Sequence, residues 1–214
     1  MAVIDEFVTA DECEVMEKLS NRARTRTRSE GGASHDDISA FRRTRGLFYD
    51  WEAFGVDELP TKLLKRAAMV AGAFGHKVTV GDWQEPLNVV DYQFADAYEP
   101  HCDVDCGRSQ HLNGGRLATI LVYCQEPEMG GATVFPSHGG RSIKVAPRAN
   151  AALYFDYAVN ARDALHAGCP VRAGQKRVVS IFLRAGVDAE HPWTQYDVDG
   201  RPARVEVGAL GDIL

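Results

Sequence analysis

The chain has 214 residues, 45% of them hydrophobic, which is enough for one domain with a sizeable core. Lysine and arginine together number 24 and aspartate and glutamate 30, so the net charge is −6 at pH 7. This acidic balance argues against bulk binding of nucleic acid. No apolar run approaches the length of a membrane span and the start shows no signal peptide, so we expect a cytoplasmic protein without a membrane partner; the oligomeric state stays open.

The five cysteines favour reduced thiols over a disulfide framework. They are odd in number and form no Cys-x-x-Cys pair, which also argues against a structural zinc site. A link between Cys102 and Cys106 is left open.

Two helices are predicted in the first part of the chain. Thr9-Ala10-Asp11-Glu12 is typical of a capping box, and the helix that it begins carries Cys13, Met16 and Leu19 on one face. A second helix is predicted over Pro60–Phe74, with a proline near its first turn and an apolar stripe along one face.

Between these helices, residues 22–45 are predicted as a mobile loop. The first part of this segment is rich in Arg, Thr, Ser and Gly and has almost no apolar residues. Arginines alternate at Arg22, Arg24, Arg26 and Arg28. We interpret this strip as a solvated loop surface, with contact to a partner or substrate as the alternative.

The second part of the chain has the pattern of a β-sheet protein. Short apolar runs separated by Gly, Pro and Asn predict strands over Leu87–Tyr92, Leu117–Cys124, Ala151–Phe155 and Val178–Leu183. Helices followed by many short strands favour an α+β fold with an antiparallel jelly-roll core and the N-terminal helices packed on one sheet. We therefore predict a single domain over 1–214, with 1–80 as mainly helical support and 85–186 as the core.

Two histidines and one aspartate are candidate metal ligands. His101 and Asp103 are two residues apart, so on a strand both side chains face the same side. His166 follows later, and a 2-His-1-carboxylate set suits a non-haem Fe(II) with open coordination positions. Taken singly, His101 is better explained as a surface histidine beside a turn, and His166 as a core histidine.

Five segments together raise the significance of these residues. In chain order they are Phe41–Gly46, Tyr92–Asp103, Arg116–Tyr123, Gly130–Pro136 and Leu165–Val171. With this order and content the chain resembles the catalytic domain of prolyl 4-hydroxylases, in the Fe(II)- and 2-oxoglutarate-dependent dioxygenase superfamily. The resemblance implies a double-stranded β-helix, a cupin-like form of the jelly roll.

The resemblance also implies roles for the candidate residues. His101, Asp103 and His166 would hold Fe(II), with 2-oxoglutarate and O2 as co-substrates and ascorbate as an expected reductant. Lys176 would pair with the distal carboxylate of 2-oxoglutarate, a charge pair that is strong in a site closed to water. An exposed, solvated lysine is the alternative.

Four further residues match family positions that face the co-substrate or the substrate. Tyr92 and Thr119 would hydrogen-bond 2-oxoglutarate, unless they are ordinary sheet residues with satisfied hydroxyls. Tyr98 and Arg116 would face the substrate, unless Tyr98 is a core aromatic residue and Arg116 pairs with a nearby acid.

The leading functional hypothesis is hydroxylation of proline at C4 in a peptide or protein segment, because extended proline-rich chains are preformed for groove binding. One alternative is a hydroxylase of a free amino acid or small metabolite. The other, from a different class, is a non-catalytic jelly-roll binding module. The chain departs from the family pattern at Ala132, at Phe94-Ala95 and at Phe182, which replaces a tryptophan.

Overall fold

The computed structural model describes residues 1–18, 38–39, 42–43, 45–48, 59–107, 112–157 and 160–203. Residues 10–18 are helical (α1), and α2 spans Leu59–Ala73. The strands are β1 Ala2–Ile4, β2 Ile38–Ser39, β3 Arg42–Arg43, β4 Arg45–Phe48, β5 Asn88–Tyr92, β6 Tyr98–His101, β7 Arg116–Gln125, β8 Met129–Gly130, β9 Thr133–His138, β10 Arg141–Val145, β11 Ala152–Asp156, β12 His166–Gly168, β13 Val171–Ala173 and β14 Lys176–Arg184.

Twelve of the described strands form two six-stranded antiparallel sheets, and β13 pairs with β8 in a separate two-stranded sheet. The major sheet has the order β1-β11-β7-β14-β5-β4, and the minor sheet has the order β10-β9-β12-β6-β3-β2. A core cluster joins major-sheet residues such as Tyr123 and Phe155 to Phe135 of the minor sheet. The two sheets therefore pack face to face, as the predicted jelly roll requires, and the four strands predicted from apolar runs coincide with β5, β7, β11 and β14.

The helices cover the outer face of the major sheet, as predicted. Met16 of α1 and Leu63 and Leu64 of α2 are buried in a second core cluster together with Ile120 and Ile181. The capping box also forms, because the Thr9 amide donates to Glu12 Oε2 and the Glu12 amide donates to Thr9 Oγ1. None of the helices in the described residues is long and apolar enough to cross a membrane.

The expectation of reduced thiols is wrong for four of the five cysteines. Disulfides join Cys13 to Cys124 and Cys102 to Cys106, and Cys169 is free. Cys13 and Cys124 are 111 residues apart in sequence but their Cα atoms are 5.2 Å apart, because α1 packs on β7. Cysteine number and spacing contain no information on such a tertiary contact, and the link that the sequence left open, Cys102–Cys106, is present.

The predicted loop over residues 22–45 lies mostly outside the described residues. Within it, residues 38–39, 42–43 and 45 are in the short strands β2, β3 and β4 and not in a loop. These strands gain backbone partners at sheet edges, since β3 pairs with β6 and β4 with β5. The alternating arginines from 22 to 28 and Leu19 are also outside the described part of the chain.

Candidate active site

His101 and His166 are brought together by strand pairing. They are direct partners in the antiparallel register between β6 and β12, and Asp103 lies just beyond the end of β6. The ligand atoms of these three residues all lie within 4.8 Å of one another. The structure thus joins three residues that the sequence separates by up to 65 positions.

Backbone carbonyls orient both imidazole rings. His101 Nδ1 is 2.8 Å from the Glu99 carbonyl oxygen, and His166 Nδ1 is 2.9 Å from the Ala164 carbonyl oxygen. When Nδ1 donates to a carbonyl, Nε2 keeps its lone pair for a metal ion. Phe155 packs against the buried His166 ring at 4.8 Å between centroids, which restricts its rotation.

Asp103 is held by a hydroxyl and by neighbouring charges. Thr119 Oγ1 donates to Asp103 Oδ2 at 2.6 Å, and Tyr157 Oη lies 3.2 Å from the same threonine oxygen. Burial alone would raise the pKa of Asp103, but the neighbouring His166 and His101 rings, the Arg116 guanidinium and the Thr119 hydrogen bond outweigh it and hold the pKa below its usual value. Oδ1 lies 3.7 Å from His101 Nε2.

This donor set fits Fe(II). Two imidazole nitrogens and one carboxylate oxygen converge, and the three residues line a cavity of about 580 Å³ that leaves room for further ligands. Such a facial set with open positions is typical of non-haem Fe(II) oxygenases.

Lys176 lies in the same cavity and is buried, with 3% of its surface exposed. Its Nζ donates to the Gly131 carbonyl oxygen at 2.7 Å and lies 4.9 Å from the centre of the Tyr92 ring. No carboxylate among the described residues forms an ion pair with it, and burial lowers its pKa to about 8. A buried cation without a counter-ion suits an anionic ligand such as a dicarboxylate.

The predicted substrate-facing residues also line the cavity. The Tyr98 ring stacks on His101 with centroids 3.6 Å apart. Arg116 donates to both Glu85 oxygens, at 2.8 and 2.7 Å, and to the Asp103 carbonyl oxygen at 3.0 Å. Arg116 therefore pairs with an acid, as the alternative reading expected. Its guanidinium group also lies over the Phe182 ring in the cavity wall.

Sequence reasoning missed an ionic network behind Arg116. Glu85 binds Arg116 and also Arg184 Nε at 2.5 Å, and both Glu85 and Arg184 are buried. Burial by itself lowers the pKa of Arg116, but the paired Glu85 carboxylate outweighs it, so this pKa lies above its usual value. Glu85 stands in Gln84-Glu85-Pro86, where no motif marks it, so only the fold reveals the network.

Known proteins share this chain's sequence pattern. The family model of the 2OG-Fe(II) oxygenase superfamily matches residues 87–184. Probable prolyl 4-hydroxylase 3 of Arabidopsis thaliana is 31% identical over 208 residues, covering 86% of this chain and 69% of that protein. The chain belongs to the 2OG-Fe(II) oxygenase superfamily. Prolyl 4-hydroxylase subunit alpha-3 of Rattus norvegicus is 30% identical, and the chain spans 33% of its length.

Solved structures share the fold of this superfamily member. The viral collagen prolyl hydroxylase of Paramecium Bursaria Chlorella virus-1 matches 86% of this chain and 94% of its own, with a TM-score of 0.61 and 21% identity. A Pseudomonas putida prolyl-4-hydroxylase matches 86% and 91%, with a TM-score of 0.60 and 17% identity. The jelly-roll prediction is confirmed, and membership makes the chain a 2-oxoglutarate-dependent dioxygenase that uses Fe(II) and O2.

Proposed function

We propose that this dioxygenase hydroxylates C4 of proline in a peptide or protein, with 2-oxoglutarate converted to succinate and CO2. One observation carries the proposal: the cavity that the three metal-ligand candidates line also contains the buried cation Lys176. The relatives named as prolyl 4-hydroxylases support proline as the target.

His101, Asp103 and His166 are the residues that would hold Fe(II). Fe(II) held there supplies the activation of O2 that couples oxidation of 2-oxoglutarate to hydroxylation of a C–H bond. The protein's own contribution is to keep both Nε2 atoms and Asp103 Oδ1 convergent, through the Glu99 and Ala164 carbonyls and the Thr119 hydroxyl.

Lys176 and Tyr92 would bind the distal carboxylate end of 2-oxoglutarate. The Lys176 ammonium is shielded from water, so its attraction to a carboxylate is strong. Val90 and Val178 form the next part of the wall and exclude water from the chain of the co-substrate. The Thr119 hydroxyl donates its hydrogen bond to Asp103. We therefore propose that Thr119 orients this metal ligand and affects the binding of 2-oxoglutarate only indirectly.

Tyr98 and Arg116 would contact the peptide. Tyr98 lies on the His101 ring, and Arg116 is held by Glu85 in a fixed orientation at the cavity wall. A proline-containing segment in an extended conformation needs little ordering to enter such a site. We further propose ascorbate as reductant. A cytoplasmic location stays a prediction, and the two disulfides are more typical of oxidising compartments.

The decisive experiment measures succinate formation with Fe(II), ascorbate, 2-oxoglutarate and either proline-containing peptides or free proline. Mass spectrometry of the peptide product should show the gain of one oxygen atom on proline. Turnover of free proline alone would instead support the free amino acid alternative. Absence of succinate together with absence of iron binding would support the binding-module alternative.

His166→Ala tests the metal assignment. The variant should lose iron binding and peptide hydroxylation while the far-UV circular dichroism spectrum stays that of the wild type. His138→Ala is the matched control, because His138 makes the same Nδ1 contact with a carbonyl oxygen, that of Asp163, outside the cluster. Full activity of His166→Ala would refute the assignment.

A further inference from the structure

A buried tyrosine lies behind the candidate metal centre. Tyr157 directly follows β11, its amide donates to the Leu117 carbonyl oxygen of β7 at 3.2 Å, and the residue is 1% exposed. Its ring belongs to the core cluster between the sheets and makes an edge contact with Phe155, with centroids 6.4 Å apart. Packing explains an aromatic ring here, but it does not explain the hydroxyl group, because a buried hydroxyl costs free energy unless it is hydrogen-bonded.

The Tyr157 hydroxyl donates to Thr119. Thr119 Oγ1 gives its single proton to Asp103 Oδ2 at 2.6 Å, since an ionised carboxylate can only accept. In the 3.2 Å contact between Tyr157 Oη and Thr119 Oγ1, the tyrosine must therefore be the donor. Burial and the nearby Asp103 carboxylate raise the pKa of Tyr157 above its usual value, so the hydroxyl keeps its proton. The three groups form a chain of hydrogen bonds with one direction, from Tyr157 through Thr119 to Asp103.

This direction has a consequence for the Asp103 carboxylate. A threonine hydroxyl rotates about its C–O bond and can donate in several directions. The proton of Tyr157 occupies an acceptor site of Thr119 Oγ1, so the Thr119 proton points away from Tyr157 and towards Asp103 Oδ2. In such a chain each bond polarises the next, which strengthens the bond to the carboxylate. With Oδ2 held, Asp103 Oδ1, which lies 3.7 Å from His101 Nε2, remains for a metal ion.

The same end of β11 also restrains a second candidate ligand. Phe155 is the register partner of Thr119 on β7, and its ring packs against the His166 ring with centroids 4.8 Å apart. Phe155 and Tyr157 thus lie behind two of the three candidate ligands, one by direct packing and the other through the Thr119 hydroxyl. Groups that hold metal ligands in place in this way contribute strongly to metal affinity.

We infer that Tyr157 is a positioning residue of the metal centre, whose hydroxyl directs the Thr119 proton to Asp103 Oδ2 and so keeps Asp103 Oδ1 oriented for the metal ion. This inference rests on the proposed function, in which Asp103 holds Fe(II). It gives Tyr157 a role that acts only through Thr119. Phenylalanine at this position would supply the same packing and none of this orientation.

The test is a double-mutant cycle on metal affinity. Calorimetric titration with Mn(II) compares the wild type, Tyr157→Phe, Thr119→Val and the double variant, so the result does not depend on turnover. Tyr157→Phe should weaken Mn(II) binding about three- to tenfold, the effect of one lost hydrogen bond. In the Thr119→Val background the same change should leave the affinity unaltered, because the group through which Tyr157 acts is then absent.

A matched control separates this role from a structural one. Tyr123 is a buried tyrosine of the same core cluster, and its Oη lies 3.0 Å from Thr133 Oγ1. Tyr123→Phe and Tyr157→Phe each remove one hydroxyl from a buried Tyr–Thr pair, so both should lower the thermal midpoint of the metal-free protein by a similar amount. Only Tyr157→Phe should weaken Mn(II) binding, because the Tyr123 ring lies at the Lys176 end of the site, 5.5 Å from Nζ.

Each outcome has one meaning. Wild-type Mn(II) affinity in Tyr157→Phe overturns the inference, and so does an equal loss of affinity in Tyr123→Phe, which would reflect stability alone. A Tyr157→Phe effect of the same size in both backgrounds also overturns it, because the tyrosine would then act independently of Thr119. Absence of Mn(II) binding by the wild type contradicts the proposed metal centre itself, whereas binding that depends on His166 but not on Tyr157 overturns only the inference.

Discussion

Thr119 Oγ1 donates a 2.6 Å hydrogen bond to Asp103 Oδ2, although the two residues are 16 positions apart. The threonine is on β7 of the major sheet and the aspartate follows β6 of the minor sheet. The bond therefore connects the two layers of the fold at the candidate metal centre. It orients the carboxylate so that its second oxygen lies towards His101.

Thr119→Val should weaken metal binding about 10- to 100-fold, the usual effect of losing a hydrogen bond that orients a ligand. Thr119→Ser should bind metal as the wild type does, because it keeps the hydroxyl. A calorimetric titration with Mn(II) measures both affinities. Thr119→Val could instead raise only the KM for 2-oxoglutarate and leave metal affinity intact. In that case Thr119 contacts the co-substrate directly, as the family resemblance implies.

Binding of 2-oxoglutarate should depend on the protonation of Lys176. Its pKa is lowered to about 8 by burial, so the ammonium is increasingly neutral above that pH. The KM for 2-oxoglutarate should therefore rise as the pH increases beyond about 8, and Lys176→Met should show a high KM with little dependence on pH. Lys144→Met, a change at an exposed lysine of β10, is the control and should behave as the wild type. A pH-independent KM in the wild type contradicts the assignment.

The same buried lysine should also affect stability, with the opposite sign. An unfolded lysine has a pKa of about 10.4, so between about pH 8 and 10.4 the unfolded chain binds a proton that the folded chain does not. This contribution makes ligand-free wild-type protein more stable as the pH rises through that window. In Lys176→Met that part of the increase should disappear. Urea unfolding at several pH values measures the difference, and parallel curves for the two proteins would contradict it.

The parts predicted from sequence are those with local or family-wide patterns. The capping box follows from its motif, and the second helix, to within one residue at each end, and the long strands follow from periodicity. The grouping of His101, Asp103 and His166 follows from the family resemblance. Neither the Cys13–Cys124 bond nor the Glu85 network has a local pattern, because both depend on contacts about 30 to 110 positions apart. Packing creates these contacts, so sequence spacing does not reveal them.

Glu85→Ala should destabilise the protein by about 3–5 kcal/mol, the typical effect of leaving buried charges without their partner. Both Arg116 and Arg184 depend on this carboxylate, and Arg184 is 2% exposed. Asp5→Ala, which breaks the exposed pair with Arg148, is the control and should cost at most about 1 kcal/mol. Urea unfolding of both variants measures the difference, and equal losses would show that the network does not stabilise the fold.

Loss of the Cys13–Cys124 disulfide should destabilise the protein by about 4 kcal/mol, because the bond closes a loop of more than a hundred residues and so restricts the unfolded chain. The double variant Cys13→Ala/Cys124→Ala removes it, and Cys169→Ala, a change at the free cysteine, is the control. The bond lies on the helix side of the major sheet, so the KM for 2-oxoglutarate should stay that of the wild type below the melting temperature. A raised KM at unchanged stability would mean instead that the position of α1 controls the cavity.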